Sequence, residues 1–172
     1  MAWFWYFCSQ NNLEMKINIG IEEKNTQKVT ALLSKLLADE FVLYTKTRNA
    51  HWNLEGEGFH GLHVFFEEQF NQLDNMIDTV AERIRAIGHF APGSLKQFLA
   101  LTQLNEGNAA GNSGTAFIKT LLEDHLGIII FLRENIDPFA AGYRDYASSD
   151  LLTGLLSDHE KMVWMLNAHL KV

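Results

Sequence analysis

"RNAHWNLEGEGFHGLHVFFEEQFNQLDNMIDTVAERI", residues 48–84, decides the fold. In its second part Leu62, Phe66, Leu73, Ile77, Val80 and Ile84 recur at helical intervals and form one apolar stripe. His63, Glu67, Asn71, Asp74, Asp78 and Glu82 follow a parallel course, spaced by 4, 4, 3, 4 and 4. That spacing makes one continuous polar face, about 100° around from the apolar stripe. The apolar stripe faces the chain's own core, and the polar stripe borders that core without filling it. Most stripes of this kind are solvated charged faces, so the histidines must be judged separately.

The neighbouring sequence repeats the same pattern. Asn25 or Thr26 is expected to cap a helix running to about Asn53, with Val29, Leu32, Leu33, Leu36, Leu37, Phe41 and Tyr44 on its apolar side. "LEGEG" at 54–58 breaks the pattern with two glycines. After the second helix, about 59–86, "SLKQFLALT" reads as a short helical crossover and 105–114 as a polar, glycine-rich loop. A third helix is expected over about 115–135, stopping before Pro138, and a fourth from after Ser148–Ser149 to about Leu170. The expected fold is all-α: a four-helix bundle with a short extra helix in the connection between helices two and three. We divide the chain into an N-terminal extension, 1–24, and a bundle domain, 25–172. The aromatic cluster Trp3–Phe7 is too short for a signal-peptide core and has no positive flank. Residues 1–14 are expected to be an apolar arm packing on their own or a neighbouring subunit, with a membrane anchor as the minor alternative.

Composition narrows the function classes. A chain of 172 residues with 47% hydrophobic content buries a real core. Its formal charge of −7 argues against broad phosphate binding, which needs clustered Lys and Arg, and suits attraction of cations. One cysteine, Cys8, excludes an intrachain disulfide and fits a reducing cytoplasm. No apolar run approaches the roughly 20 residues of a membrane span.

His51 lies seven residues after Tyr44 and continues the core side of the first helix. The five-residue break then folds the chain back and brings His51 near His63. A single histidine there is usually packed or caps a helix, but two imidazoles converging beside carboxylates look like ligands for a divalent transition metal. Asp78 and Glu82, four apart, can close on one ion. His63 and Asp78 are fifteen residues apart, ~22 Å along a straight helix. If these four residues share a site, the histidines of one chain must meet the carboxylates of another. Two copies of helix two packed antiparallel about a two-fold axis would form two such sites.

The segments "NAHWNLEGEGFHGLHVFFEEQF" and "DNMIDTVAERI", with "HEKMVWML" in support, resemble the Dps family, ferritin-like mini-cages named for a DNA-binding protein from starved cells. The resemblance covers about Met15 to Leu170. It implies a twelve-subunit shell that oxidises Fe(II) with hydrogen peroxide as preferred oxidant and stores Fe(III) as mineral. It implies His51 and His63 as ferroxidase ligands from one subunit, Asp78 and Glu82 from its neighbour, and Glu67 as a further, less direct metal ligand. Iron is the expected metal, with two ions per site possible, and zinc is a possible substitute. Trp52 matches an aromatic neighbour of the site, read here as packing ahead of electron donation.

Other features carry alternatives. Asp145, Asp150 and Asp158 are candidates for an iron-attracting pore or inner wall, and equally for helix N-terminal acids favoured by the dipole. Glu57 and His60 spell E-x-x-H, but flanking glycines put them in a turn, and they are discounted. His89, His125, His159 and His169 are expected to cap or pack, and the Met and Trp of "HEKMVWML" to fill the core. Family members that bind DNA do so through Lys/Arg-rich tails, and this chain offers only Lys16, Lys24 and Lys171 near its ends. That departure argues against direct DNA binding. A DNA-condensing protein with secondary iron binding, and a bundle with a dead site, stand as the competing readings.

Overall fold

The computed structural model describes residues 18–107 and 109–171; the arm expected at 1–14 lies outside them. Helices α1 (Glu23–Asn53) and α2 (Phe59–Ala86) form one antiparallel hairpin, and α4 (Gly114–Asp137) and α5 (Tyr146–Ala168) a second. The short α3 (Leu95–Leu101) lies in the connection and packs on α1, with Phe98 stacked on Phe41 at 4.4 Å. Among the described residues there is no strand beyond an isolated bridge, Glu55–Ser113. The architecture is the four-helix bundle with a short extra helix that the periodicity implies.

Leu33, Leu37, Phe66, Leu73, Leu121, Leu132 and Leu152 are essentially inaccessible, one stripe from each long helix meeting at the axis. Each such side chain contributes about 1.5–3 kcal/mol on burial. The polar stripe of α2 lies outside: Glu67, Asn71, Asp74, Asp78 and Glu82 are exposed. Met162 is buried, whereas Trp164 is 68% exposed and does not fill the core as expected.

Two helix starts differ from the sequence reading. α1 begins at Glu23, and neither Asn25 nor Thr26 caps it. Their side chains are spent elsewhere: Asn25 Nδ2 donates to Tyr143 O at 3.2 Å, and Thr26 Oγ1 to Glu23 O at 3.0 Å. α4 stops at Asp137, before Pro138 as expected, but the chain does not leave the helical path there. Proline lacks only a donor, so at the start of a helical turn its fixed φ is tolerated, and the chain continues as a π-helical turn, Pro138–Gly142. α5 begins at Tyr146 because Asp145 caps it, accepting from Ser148 N at 3.0 Å; Ser148 and Ser149 lie inside the helix.

The waist of the bundle is polar. Glu40 of α1 accepts from His159 Nε2 of α5 at 2.8 Å, and His159 Nδ1 meets His125 Nδ1 of α4 at 2.8 Å. All three side chains are fully buried. The proton count follows from the chain of contacts. His159 Nε2–H donates to Glu40, one proton lies between the two Nδ1 atoms, and His125 Nε2 has no partner among the described residues. Beside it Lys46 Nζ pairs with Asp124 Oδ2 at 2.6 Å and donates to Asn105 O at 2.9 Å. Asp39 gathers the end of the α3 connection, accepting from Thr102 Oγ1 at 2.7 Å and Gln103 N at 2.6 Å.

Burial, reinforced by neighbouring His159, holds the His125 imidazole well below its usual 6.5. The folded chain therefore keeps His125 neutral while the unfolded chain takes up a proton as pH falls below 6.5. The stability this contributes is complete above that pH and lost on acidification. In chelated buffer the urea midpoint should fall from pH 7 to pH 5, at up to about 1.4 kcal/mol per pH unit for one proton. His125→Asn should flatten that slope, and an unchanged slope would contradict the assignment.

Candidate metal centre

The turn that closes the α1–α2 hairpin is set by glycines. Gly56 and Gly58 take positive φ values of 98° and 74°, which lets five residues reverse the chain. Glu55 N donates to Asn112 O at 2.9 Å, and Gly114 lies flush against Leu62 with no room for a Cβ. The connection before α4 thus braces the turn.

Within this frame His51 and His63 stack face to face, their ring centres 3.7 Å apart and planes 19° off parallel. Each ring bonds the other residue's backbone: His51 Nδ1 to His63 O at 2.8 Å, and His63 Nδ1 to His51 O at 2.9 Å. A carbonyl only accepts, so both Nδ1 atoms carry the proton. The His51 carbonyl lies in the last turn of α1, where carbonyls lack intrahelical donors, and the His63 ring supplies one. In the neutral rings both Nε2 atoms then hold lone pairs, and neither has a protein partner among the described residues. This is the tautomer a metal-binding imidazole requires, fixed by the hydrogen bond on its other nitrogen. Phe59 stacks on His63 at 5.2 Å, and Phe70 stands edge-on to His51 at 5.2 Å.

The remaining residues of the sequence-predicted set do not join this pair. Glu67 is exposed one turn beyond His63, and Asp78 and Glu82 stand exposed far down α2. Among the described residues of one chain, no three His, Cys, Asp or Glu side chains come together as a metal site. Trp52 is 64% exposed, so the packing expected of it is not made within the chain; Arg48 lies over its ring at 5.2 Å. Glu57 and His60 are exposed at the turn and the start of α2. Asp145 is buried, caps α5 and pairs with Arg83 at 2.6 Å, so it serves neither pore nor inner wall. Asp150 and Asp158 line a groove of about 380 Å³ between α2 and α5, with Gln72, Asn75 and Thr79. The sequence reading left Arg48 out. Its position one turn before His51, among Tyr44, Trp52 and Phe70, was the available signal.

The ferritin-like domain family matches residues 30–172. "DNA protection during starvation protein 2" of Bacillus anthracis is 34% identical over 144 residues, 84% of this chain and 97% of that protein. The Vibrio cholerae O1 Dps crystal structure superposes with a TM-score of 0.84 at 32% identity, covering 91% of this chain and 98% of that one. The chain belongs to the Dps family. An uncharacterised low temperature-induced protein of Nostoc is also similar, 36% identical over 156 residues, 91% of this chain and 87% of that one. Among the solved Dps structures, that of Bacillus brevis gives a TM-score of 0.81 at 32% identity, covering 88% and 100% of the two chains.

The crossed hydrogen bonds have a measurable worth. His63→Ala leaves the His51 carbonyl without its donor and should cost about 1 kcal/mol in urea unfolding of metal-free protein. His63→Asn, which retains an N–H donor, should recover part of it. Equal stability of all three proteins would show that the pair does not close the hairpin.

Proposed function

We propose that this Dps-family protein removes and stores iron, oxidising Fe(II) at sites formed between subunits. The observation that carries the reading is the His51–His63 pair, with both Nδ1 atoms engaged and both Nε2 atoms free. Its complement is Asp78 and Glu82, ~22 Å along the same helix and out of reach within one chain. A partner's α2, antiparallel about a two-fold axis, brings its carboxylates to the imidazoles, and each dimer then has two equivalent sites. Neutral imidazoles with carboxylates bind Fe(II) and leave positions open for an oxidant. Glu67 extends the donor set directly or through water.

Iron here is substrate. Two Fe(II) ions held close each give one electron, so H2O2 and two protons become two waters while two Fe(III) form. Pairing the electrons in one site avoids release of hydroxyl radical. The chain's part is to fix the donors, and His51 is held by Phe70 as well as by its backbone bond. Support for the iron chemistry also comes from the Vibrio protein, described as one of a superfamily of ferritin-like diiron-carboxylate proteins. The name of the Bacillus relative, DNA protection during starvation, fits the same chemistry, since removing Fe(II) and peroxide spares DNA. We assign a twelve-subunit shell and a cytoplasmic location on the same reading. Among the described residues no helix is long and apolar enough to cross a membrane.

Anaerobic Fe(II) protein mixed with peroxide should develop ferric absorbance far faster than buffer, in a particle of about twelve 19.6 kDa chains. Oxidation no faster than buffer would reject the reading. Shared sites are tested by complementation. His51→Ala/His63→Ala chains and Asp78→Ala/Glu82→Ala chains should each be inactive alone. Co-assembled in equal amounts, they should regain about a quarter of wild-type sites, because each mixed dimer has one intact site. No recovery in verified mixed assemblies would place the chemistry within single chains.

A further inference from the structure

Arg48 lies on α1 one turn before His51, and three aromatic rings enclose its guanidinium. The carbon at its centre is 4.4 Å from the Phe70 ring, 5.2 Å from Trp52 and 5.4 Å from Tyr44, and Nη1 donates to Tyr44 Oη at 2.7 Å. Cation–π contact of this kind holds an arginine in place without neutralising it. Among the described residues no carboxylate lies within ion-pair distance of Arg48. Phe70 is shared: its face takes the guanidinium at 4.4 Å, and the His51 imidazole stands 5.2 Å from its centre. Those two distances laid end to end keep guanidinium and imidazole within a Debye length of about 10 Å at 0.1 M salt.

A permanent, immobilised positive charge thus stands beside two nitrogens poised to accept a cation. Arginine does not lose its proton in a protein, so the charge persists at every working pH. Its repulsion of a bound ion grows with the ion's charge, and is therefore greater for Fe(III) than for Fe(II). We propose that Arg48 is an affinity-determining residue that weakens retention of metal at the His51–His63 pair, so that iron passes through the site instead of remaining in it. The inference rests on the reading of His51 and His63 as iron ligands and adds to it a reason for release.

The test uses Zn(II), a redox-inert probe, titrated calorimetrically into the assembled full chain. Wild type, Arg48→Gln, Arg48→Met and Arg48→Lys are compared with the His51→Ala/His63→Ala protein. Arg48→Met keeps an apolar stem against the aromatic rings should the glutamine variant fold poorly. Removing the charge should tighten Zn(II) binding about tenfold in either neutral variant, and Arg48→Lys should stay near wild type. Raising NaCl from 0.05 to 0.5 M should narrow the gap between wild type and the neutral variants, a response that a packing role would not produce. Neutral variants that bind no tighter than wild type, a gap indifferent to salt, or Arg48→Lys binding as tightly as Arg48→Gln would each overturn the proposal. Wild type binding no better than the histidine-less protein would instead defeat the ligand assignment, and the proposal with it.

Discussion

Two hydrogen bonds running in opposite senses between His51 and His63 govern the arrangement at the end of the hairpin. Each ring supplies a donor to the other residue's carbonyl, so a ring that turns gives up both its own hydrogen bond and its stack on the other ring. The same pair sets the register of α1 against α2, since a shift of one residue would carry one ring off the shared face. It also fixes the tautomer of each neutral ring, because a nitrogen committed to a carbonyl holds the proton and the lone pair then falls on the other. Structure and chemical readiness here have one cause.

The bundle waist solves a different problem. Glu40, His125 and His159 are buried amid leucine and isoleucine, and burial of ionisable groups is costly unless they are paired. The hydrogen-bonded chain meets most of that need, although Glu40 Oε2, His125 Nε2 and both side-chain polar atoms of Gln69 have no partner among the described residues. Buried polar groups of this kind add little net stability. Their effect is selective: an arrangement that separates α1 from α5 leaves a buried carboxylate and imidazole unmatched. The Lys46–Asp124 pair applies the same constraint between α1 and α4, where burial raises the Asp124 carboxyl against the lowering influence of Lys46.

Much of this was legible in the sequence. The stripe Leu62, Phe66, Leu73, Val80 and Ile84 reports burial directly, because hydrophobic periodicity and helix packing are the same physics. The meeting of His51 with His63 followed from a short break between two long helices. Helix ends were less legible. Asn25 and Ser148 have the composition of caps, but tertiary partners took Asn25, and Asp145 outcompeted Ser148 for the role. Pro138 reads as a stop because sequence shows its missing donor and not the π-helical turn that accommodates it. His125 and His159 are 34 residues apart, and no local pattern announces a contact that depends on how two helices cross. Trp52 and Trp164 looked like core by residue type alone, yet both are largely exposed. The surfaces that would cover them belong to no local pattern in this chain.

Arg83 follows Glu82 directly and is bound to Asp145 and Ser148, at the corner where the π-helical turn hands the chain to α5. That corner also contains Arg144, a residue with a side chain held at a φ of 61°. The far end of α2 is therefore not a free tip: Arg83 ties it to Asp145 and to the start of α5. A mutation at that corner would disturb the end of α2 that carries Asp78 and Glu82 without touching either residue.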